Sequence, residues 1–170
     1  MESPVPAGPA AEVIRLATAD RLTIATAESL TAGLVSAALG SVPGASAVFQ
    51  GGAVTYQNQI KVDVLGVDPA GIAATGAVDA VVARQMAEGA RRVFDADLGV
   101  STTGAAGPEP HAGKAVGTVF VAVASPAGTR VKEYLFDGDR ESVRRQACSA
   151  ALDLLRTVLS DRDAGNKSHD

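Results

Sequence analysis

Tyr56 and Lys61 fall in the stretch from Ala27 to Lys61, which also carries two glycine-and-hydroxyl turns. A serine needs a base before it can attack a carbonyl carbon. The chain has only two histidines, His111 in the loop EPHAGKA and His169 near the end. Lys61 and Tyr56 are therefore the natural candidates to activate a serine. A lysine ordinarily titrates near ~10.4, and burial or a neighbouring cation lowers that value towards a useful base.

Two serines precede them. Ser29 lies in Glu28-Ser29-Leu30-Thr31-Ala32-Gly33, where a strand is expected to hand over to a helix. N–H groups at such a helix start favour an anion, with Ser29 and Thr31 as added donors; the alternative is that Ser29 caps the helix. Ser46 ends the turn Pro43-Gly44-Ala45-Ser46 and is either a reacting group or a turn residue. The glycine-rich run from Ser101 to Pro108, with Thr103 and Gly104, follows another expected strand, a place where ligands collect in open α/β sheets. Arg140 and Arg144 follow Phe136-Asp137-Gly138-Asp139 and could clamp a phosphate or carboxylate. No P-loop lysine spacing, G-x-S-x-G elbow or metal-ligand spacing is present, so neither a nucleoside triphosphate, a standard α/β-hydrolase nor a metal is indicated.

Composition sets outer bounds. With 170 residues and 46% apolar content, the sequence is that of one globular domain. A net charge of −4 argues against broad nucleic-acid binding. Cys148, the single cysteine, cannot form an internal disulfide and sits in an apolar helical pattern, as a buried bystander would. No secretory signal and no apolar run long enough for a membrane span are seen, so a cytoplasmic location is expected.

The elements that must position these residues follow from periodicity. Helices are predicted over 10–19, 30–39, 57–65, 78–94 and 139–159. Strands are predicted over 21–26, 47–56, 97–102, 116–124 and 129–136, the last two forming a hairpin through Ser125–Gly128. Residues 68–76 read as a loop. The order gives an α/β fold, a mixed sheet with helices on both faces. The expected division is a flexible tail over 1–9, one domain over 10–160 and a flexible tail over 161–170.

The order of the segments is more specific than any one of them. AESLTAG, VPGAS, GGAVTYQNQIKVDVLGV, STTGAAGP, VGTVFVAV and FDGDRESVRRQ together resemble the CinA C-terminal domain family over roughly Ala10 to Leu159. Members act as nicotinamide-nucleotide amidohydrolases, and this chain resembles the stand-alone form, without the N-terminal molybdopterin-binding-like domain of some relatives. The resemblance implies a three-layer α/β/α single domain. It also implies hydrolysis of the carboxamide of nicotinamide mononucleotide to nicotinate mononucleotide and ammonia, with no metal or other cofactor, and a homo-oligomer. The implied machinery maps to Ser46 as nucleophile, Lys61 as base and Tyr56 beside them, with Ser29 as the rival nucleophile. Substrate contacts are implied for Ser29, Thr31 and Thr103, to which Glu28, Gly33, Gly104, Arg140 and Arg144 add. Leu30 and Ala32 stand where the family has cysteine and glycine. The run EPHAGKAVG lacks a glycine pair and has Ala115 in place of a proline. Those departures leave two further readings open: a non-catalytic nucleotide- or partner-binding protein, and an amidase for another amide.

Overall fold

The structure, a computed structural model, describes residues 7–166. Five strands form one open mixed sheet, ordered β2-β1-β3-β4-β5. They are β1 (Ile24–Glu28), β2 (Phe49–Val54), β3 (Leu98–Gly104), β4 (Thr118–Ser125) and β5 (Gly128–Leu135). β1 runs parallel to both β2 and β3, whereas β4 is antiparallel to β3 and β5. Burial follows position: β1 and β4 are buried throughout, while edge strand β5 exposes much of its length. A strand covered on both faces is mostly apolar on both, which is why TVFVAVAS does not alternate; in IATAE the polar Thr26 and Glu28 are buried with hydrogen-bond partners.

Six helices cover the sheet: α1 (Pro9–Asp20), α2 (Leu34–Gly40), α3 (Asn58–Leu65), α4 (Pro69–Thr75), α5 (Ala80–Phe94) and α6 (Arg140–Asn166). α5 spans one face, with α3 and α4 beside it; α1, α2 and α6 lie on the other. The larger core joins Val13, Leu39, Val121, Leu155 and their neighbours between α1, α6 and the sheet. The result is the three-layer α/β/α domain expected of the sequence.

Chain order fixes where a ligand can sit. From β1 the chain crosses through α2 to β2 on one side, then returns through α3, α4 and α5 to β3 on the other. Divergence of the connections opens a crevice at the carboxyl ends of β1 and β3. Ser29 follows β1, Tyr56 follows β2, and Thr103 and Gly104 end β3, so all four stand at that edge.

Three expectations need correction. Residues 69–75 are helix α4, not loop: Asp68 accepts the Ala70 N–H at 3.0 Å and Pro69 opens the helix, a combination of N-cap and first-turn proline that favours helix entry. The segment 30–33 is a turn, and α2 begins only at Leu34. Helix α6 continues past Leu159 to Asn166, where a tail was expected. The expected N-terminal tail falls mostly outside the described residues, and α1 already begins at Pro9.

Candidate active site

The turn after β1 is built around Glu28. Its carboxylate is buried and accepts four hydrogen bonds, from the Thr31 hydroxyl (2.7 Å), the Val35 N–H (2.8 Å), the Ser36 N–H (3.0 Å) and the Ser36 hydroxyl (2.7 Å). Gly33 occupies the N-cap of α2 and has no side chain with which to cap it. Glu28 performs that task from the neighbouring strand, where a negative charge also suits the helix dipole. The α2 start is therefore occupied from within, and the expectation that it holds a substrate anion is corrected. Glu28→Ala leaves those donors without an acceptor; urea unfolding is expected to show a loss of about 3 kcal/mol or more.

Thr31 is likewise consumed. It is fully buried between Glu28 and the Thr102 hydroxyl, 2.7 Å away. Arg144 donates from Nε to the Leu30 carbonyl (2.8 Å) and from Nη2 to the Thr31 carbonyl (3.3 Å), so it fastens the turn to α6. Glu28, Thr31, Gly33 and Arg144 thus shape the turn and do not line the cavity described next. Ala32 is held at φ 46°, in the left-handed region that costs a residue with a Cβ about 1 kcal/mol. Ala32→Gly relieves that strain, partly offset by the greater freedom of the unfolded chain. A stabilisation of about 0.5 kcal/mol in thermal or urea unfolding is expected.

A cavity of about 440 Å³ opens at the crevice, within the size range of small-molecule sites. Its walls include Ser29, Tyr56, Lys61, Thr103, Gly104 and Arg140. Lys61, on α3, is 1% exposed, and its Nζ donates to the Tyr56 main-chain carbonyl at 2.8 Å. No carboxylate pairs with it among the described residues. Burial without a counter-charge disfavours the ammonium and pushes Lys61 down to about 8. Ser29 is buried on the turn after β1, its N–H bonded to the Thr102 carbonyl (3.0 Å). Its hydroxyl is engaged by no other described residue.

Tyr56 is half exposed, and its hydroxyl accepts from Arg140 Nη2 at 2.7 Å. Arg140 Nη1 also donates to the Gly107 carbonyl at 2.7 Å. Arg140 thereby ties the start of α6 to both the tyrosine and the glycine-rich loop. The Thr103 hydroxyl donates to the Ala77 carbonyl at 2.7 Å, so this residue shapes the wall. Gly104 is required by space: a Cβ there would lie 2.7 Å from Val119 Cγ2 and 2.8 Å from the Thr118 carbonyl.

Ser46 is not part of this cavity. It sits exposed on a short 3-10 turn (Ala45–Ala47) ahead of β2, while Tyr56 and Lys61 come after that strand. A six-residue strand spans about 20 Å, so Ser46 lies at the other end of the sheet from Lys61. The pairing of Ser46 with Lys61 is corrected on that ground for a single chain. The wall also includes Gln57, Asn58, Glu109 and His111, which were not among the site residues expected from the sequence. The first two are adjacent to Tyr56, at the start of a helix pointing into the crevice, which was the available signal.

Cys148 is half-buried against the larger core, and its thiol is pushed up to about 11 by burial and, secondarily, by the charge of Glu28. Among the described residues no cluster of His, Cys, Asp and Glu could hold a metal ion, and no helix is long and apolar enough to cross a membrane.

The fold and crevice define an open α/β/α domain with a buried lysine and an uncommitted serine at the carboxyl edge of its parallel strands. Residues 7–159 match the CinA C-terminal domain model, and the chain belongs to that family. It is 52% identical over 139 residues to a CinA-like protein of Anaeromyxobacter dehalogenans, covering 80% of this chain and 34% of that one. It is 46% identical over 138 residues to a CinA-like protein of Frankia casuarinae, covering 81% and 32%. The chain thus spans about a third of the length of these curated relatives. Among solved structures it is similar to the competence damage-inducible protein A of Klebsiella pneumoniae, with a TM-score of 0.86 and 33% identity over 89% of this chain and 95% of that one. It is also similar to the competence/damage inducible protein CihA of Agrobacterium tumefaciens, with a TM-score of 0.82 and 37% identity over 94% and 99%.

Proposed function

We propose that the chain hydrolyses the carboxamide of nicotinamide mononucleotide, giving nicotinate mononucleotide and ammonia, with Ser29 as nucleophile and Lys61 as base. The observation that carries this reading is the joint presence, on one cavity, of a free serine hydroxyl and a buried lysine without a counter-charge. A lysine held near pH 8 is neutral often enough at neutral pH to accept a proton.

In the proposed reaction, Ser29 Oγ bonds to the carboxamide carbon as its proton passes to Lys61 Nζ. The carbonyl oxygen takes up the negative charge and is received by main-chain N–H groups of Ala106 and Gly107, which line the cavity; the Ala105 N–H is committed to the Thr118 carbonyl at 2.9 Å. Such a donor is typically worth ~3 kcal/mol. Collapse breaks the carbon–nitrogen bond, and Lys61 returns the proton to the departing nitrogen as ammonia. Water then attacks the serine ester, giving one proton to Lys61; Lys61 returns it to Ser29 Oγ as the carbon–oxygen bond breaks, and the carboxylic acid leaves and releases its remaining proton to solvent as the carboxylate. The Lys61 bond to the Tyr56 carbonyl keeps the amine aimed while leaving its lone pair free. Arg140 holds the Tyr56 hydroxyl as an acceptor, so the phenol's own proton is free to be donated to the substrate.

The test is ammonia release by the purified protein from nicotinamide mononucleotide, free nicotinamide and unrelated primary amides in parallel. Selective release from the nucleotide is expected. Release from another amide alone would assign a different amidase, and binding of the nucleotide without release would assign a non-catalytic binding protein.

A further inference from the structure

A second cavity, of about 670 Å³, adjoins the first. The two share Asn58 and His111 as walls, and Lys114 lines the second. His111 and Lys114 exchange both of their main-chain hydrogen bonds, His111 N–H to Lys114 carbonyl at 3.1 Å and Lys114 N–H to His111 carbonyl at 2.9 Å. Ala112 and Gly113 between them have φ 47° and 77°, the signature of a tight two-residue hairpin turn. Residues paired in this way across a hairpin carry their side chains on the same face. The hairpin tip also packs closely on the end of α4, since a Cβ at Gly76 would lie 2.6 Å from Ala112 Cβ. The chain therefore builds a small, anchored ribbon that presents an imidazole and an ammonium to one space.

Charge accounting separates this space from the first cavity. The other two basic candidates near the crevice are committed: Arg140 to the Gly107 carbonyl and Tyr56, Arg144 to the carbonyls of the Leu30 turn. Lys114 is half-buried, yet its ammonium has no ion pair or hydrogen bond among the described residues. No carboxylate lines the second cavity; Glu109 lines only the first. At the junction stands the start of α3, whose N-cap residue Gln57 makes no side-chain cap. In the first turn the Ile60 N–H is met by the Gln57 carbonyl at 3.1 Å, while the N–H groups of Asn58 and Gln59 lack intrahelical acceptors, and the helix dipole adds partial positive charge.

We propose that the second cavity is a phosphomonoester subsite, in which Lys114 and His111 receive the phosphate of a mononucleotide while its amide lies against Ser29 and Lys61. The assignment deepens the amidase reading and rests on it for the amide end only. A phosphomonoester carries nearly two negative charges at neutral pH, and a lysine binds it as a point charge. The subsite explains how a cavity with few free cations of its own would favour a nucleotide over its dephosphorylated form.

Binding can be read without turnover. Titration calorimetry with ribose 5-phosphate should show saturable binding to the wild-type protein. Binding should weaken about ten- to a hundredfold in Lys114→Ala, the range for losing a hydrogen bond to a charged group. Lys114→Gln, which keeps the stem and the hairpin, should show the same loss with an unchanged melting temperature. Inorganic phosphate, run in parallel, should bind more weakly than ribose 5-phosphate. In kinetics, the preference for nicotinamide mononucleotide over nicotinamide riboside should fall by the same factor in both variants. Equal affinity of wild type and variants, equal affinity for inorganic phosphate and ribose 5-phosphate, or an unchanged substrate preference would overturn the subsite. Failure of the wild type to release ammonia would sink the amidase reading while leaving the binding result to judge the subsite.

Discussion

Lys61→Met is expected to abolish ammonia release and, at neutral pH, to make the protein more stable. Removing a positioned general base costs about 10²- to 10⁴-fold in rate, and the thioether of methionine cannot replace an amine. The stability gain has the same origin as the catalytic use. Lys61 is pushed down to about 8 from its ordinary 10.5 by burial, so the folded chain releases this proton more readily than the unfolded chain. Below about pH 8 both states hold the proton, and the folded state bears the whole cost of burying a charge. Between about 8 and 10.5 the folded state is neutral while the unfolded state is still charged, and stability climbs with pH. At ~1.4 kcal/mol per unit, the cost at pH 7 is at most about 3 kcal/mol, which methionine removes. Urea unfolding of wild type and Lys61→Met at pH 7 and pH 10 checks this: the difference in stability should shrink at the higher pH. The rate of the wild type should rise with pH through about 8 and then level, because the neutral amine is the active form.

Ser29→Ala is expected to lower turnover more than about a thousandfold, as losses of a nucleophile do in serine hydrolases, while Ser46→Ala retains most of it. Ser29 lines the same cavity as Lys61, with its hydroxyl uncommitted, whereas Ser46 is exposed beyond the far end of β2. Stability separates a chemical loss from a structural one. The four hydrogen bonds that hold the turn end on Glu28, not on Ser29. Ser29→Ala should therefore melt close to the wild type. A Ser46→Ala protein as impaired as Ser29→Ala would return the reacting role to Ser46.

Most of the layer architecture was legible in the sequence, because buried strands such as TVFVAVAS and amphipathic α5 leave strong periodic marks. The short helix α4 was not: DPAGIAAT buries no residue, so it has no apolar stripe, and only its Asp-Pro start betrays it. The site divides in the same way. Lys61, Tyr56, Ser29, Thr103, Gly104 and Arg140 line the cavity as positions flanking strands or opening helices can be expected to do. Glu28, Thr31 and Arg144 are polar residues in the right neighbourhood, and sequence alone cannot separate a side chain that meets a ligand from one that satisfies a helix start or a turn carbonyl. Ser46 is near Lys61 in sequence but not in space, because an extended strand carries its two ends to opposite edges of the sheet. The hairpin at His111–Lys114 was legible only as a departure from the family pattern, since its meaning depends on the cavity it closes.

Ammonia release from nicotinamide mononucleotide by the wild-type protein, measured beside Ser29→Ala, tests the central claim most directly. Steady release by the wild type and its near-complete loss in a normally folded Ser29→Ala protein is the expected result. Undiminished release by Ser29→Ala, or none by the wild type at high protein concentration, would contradict it.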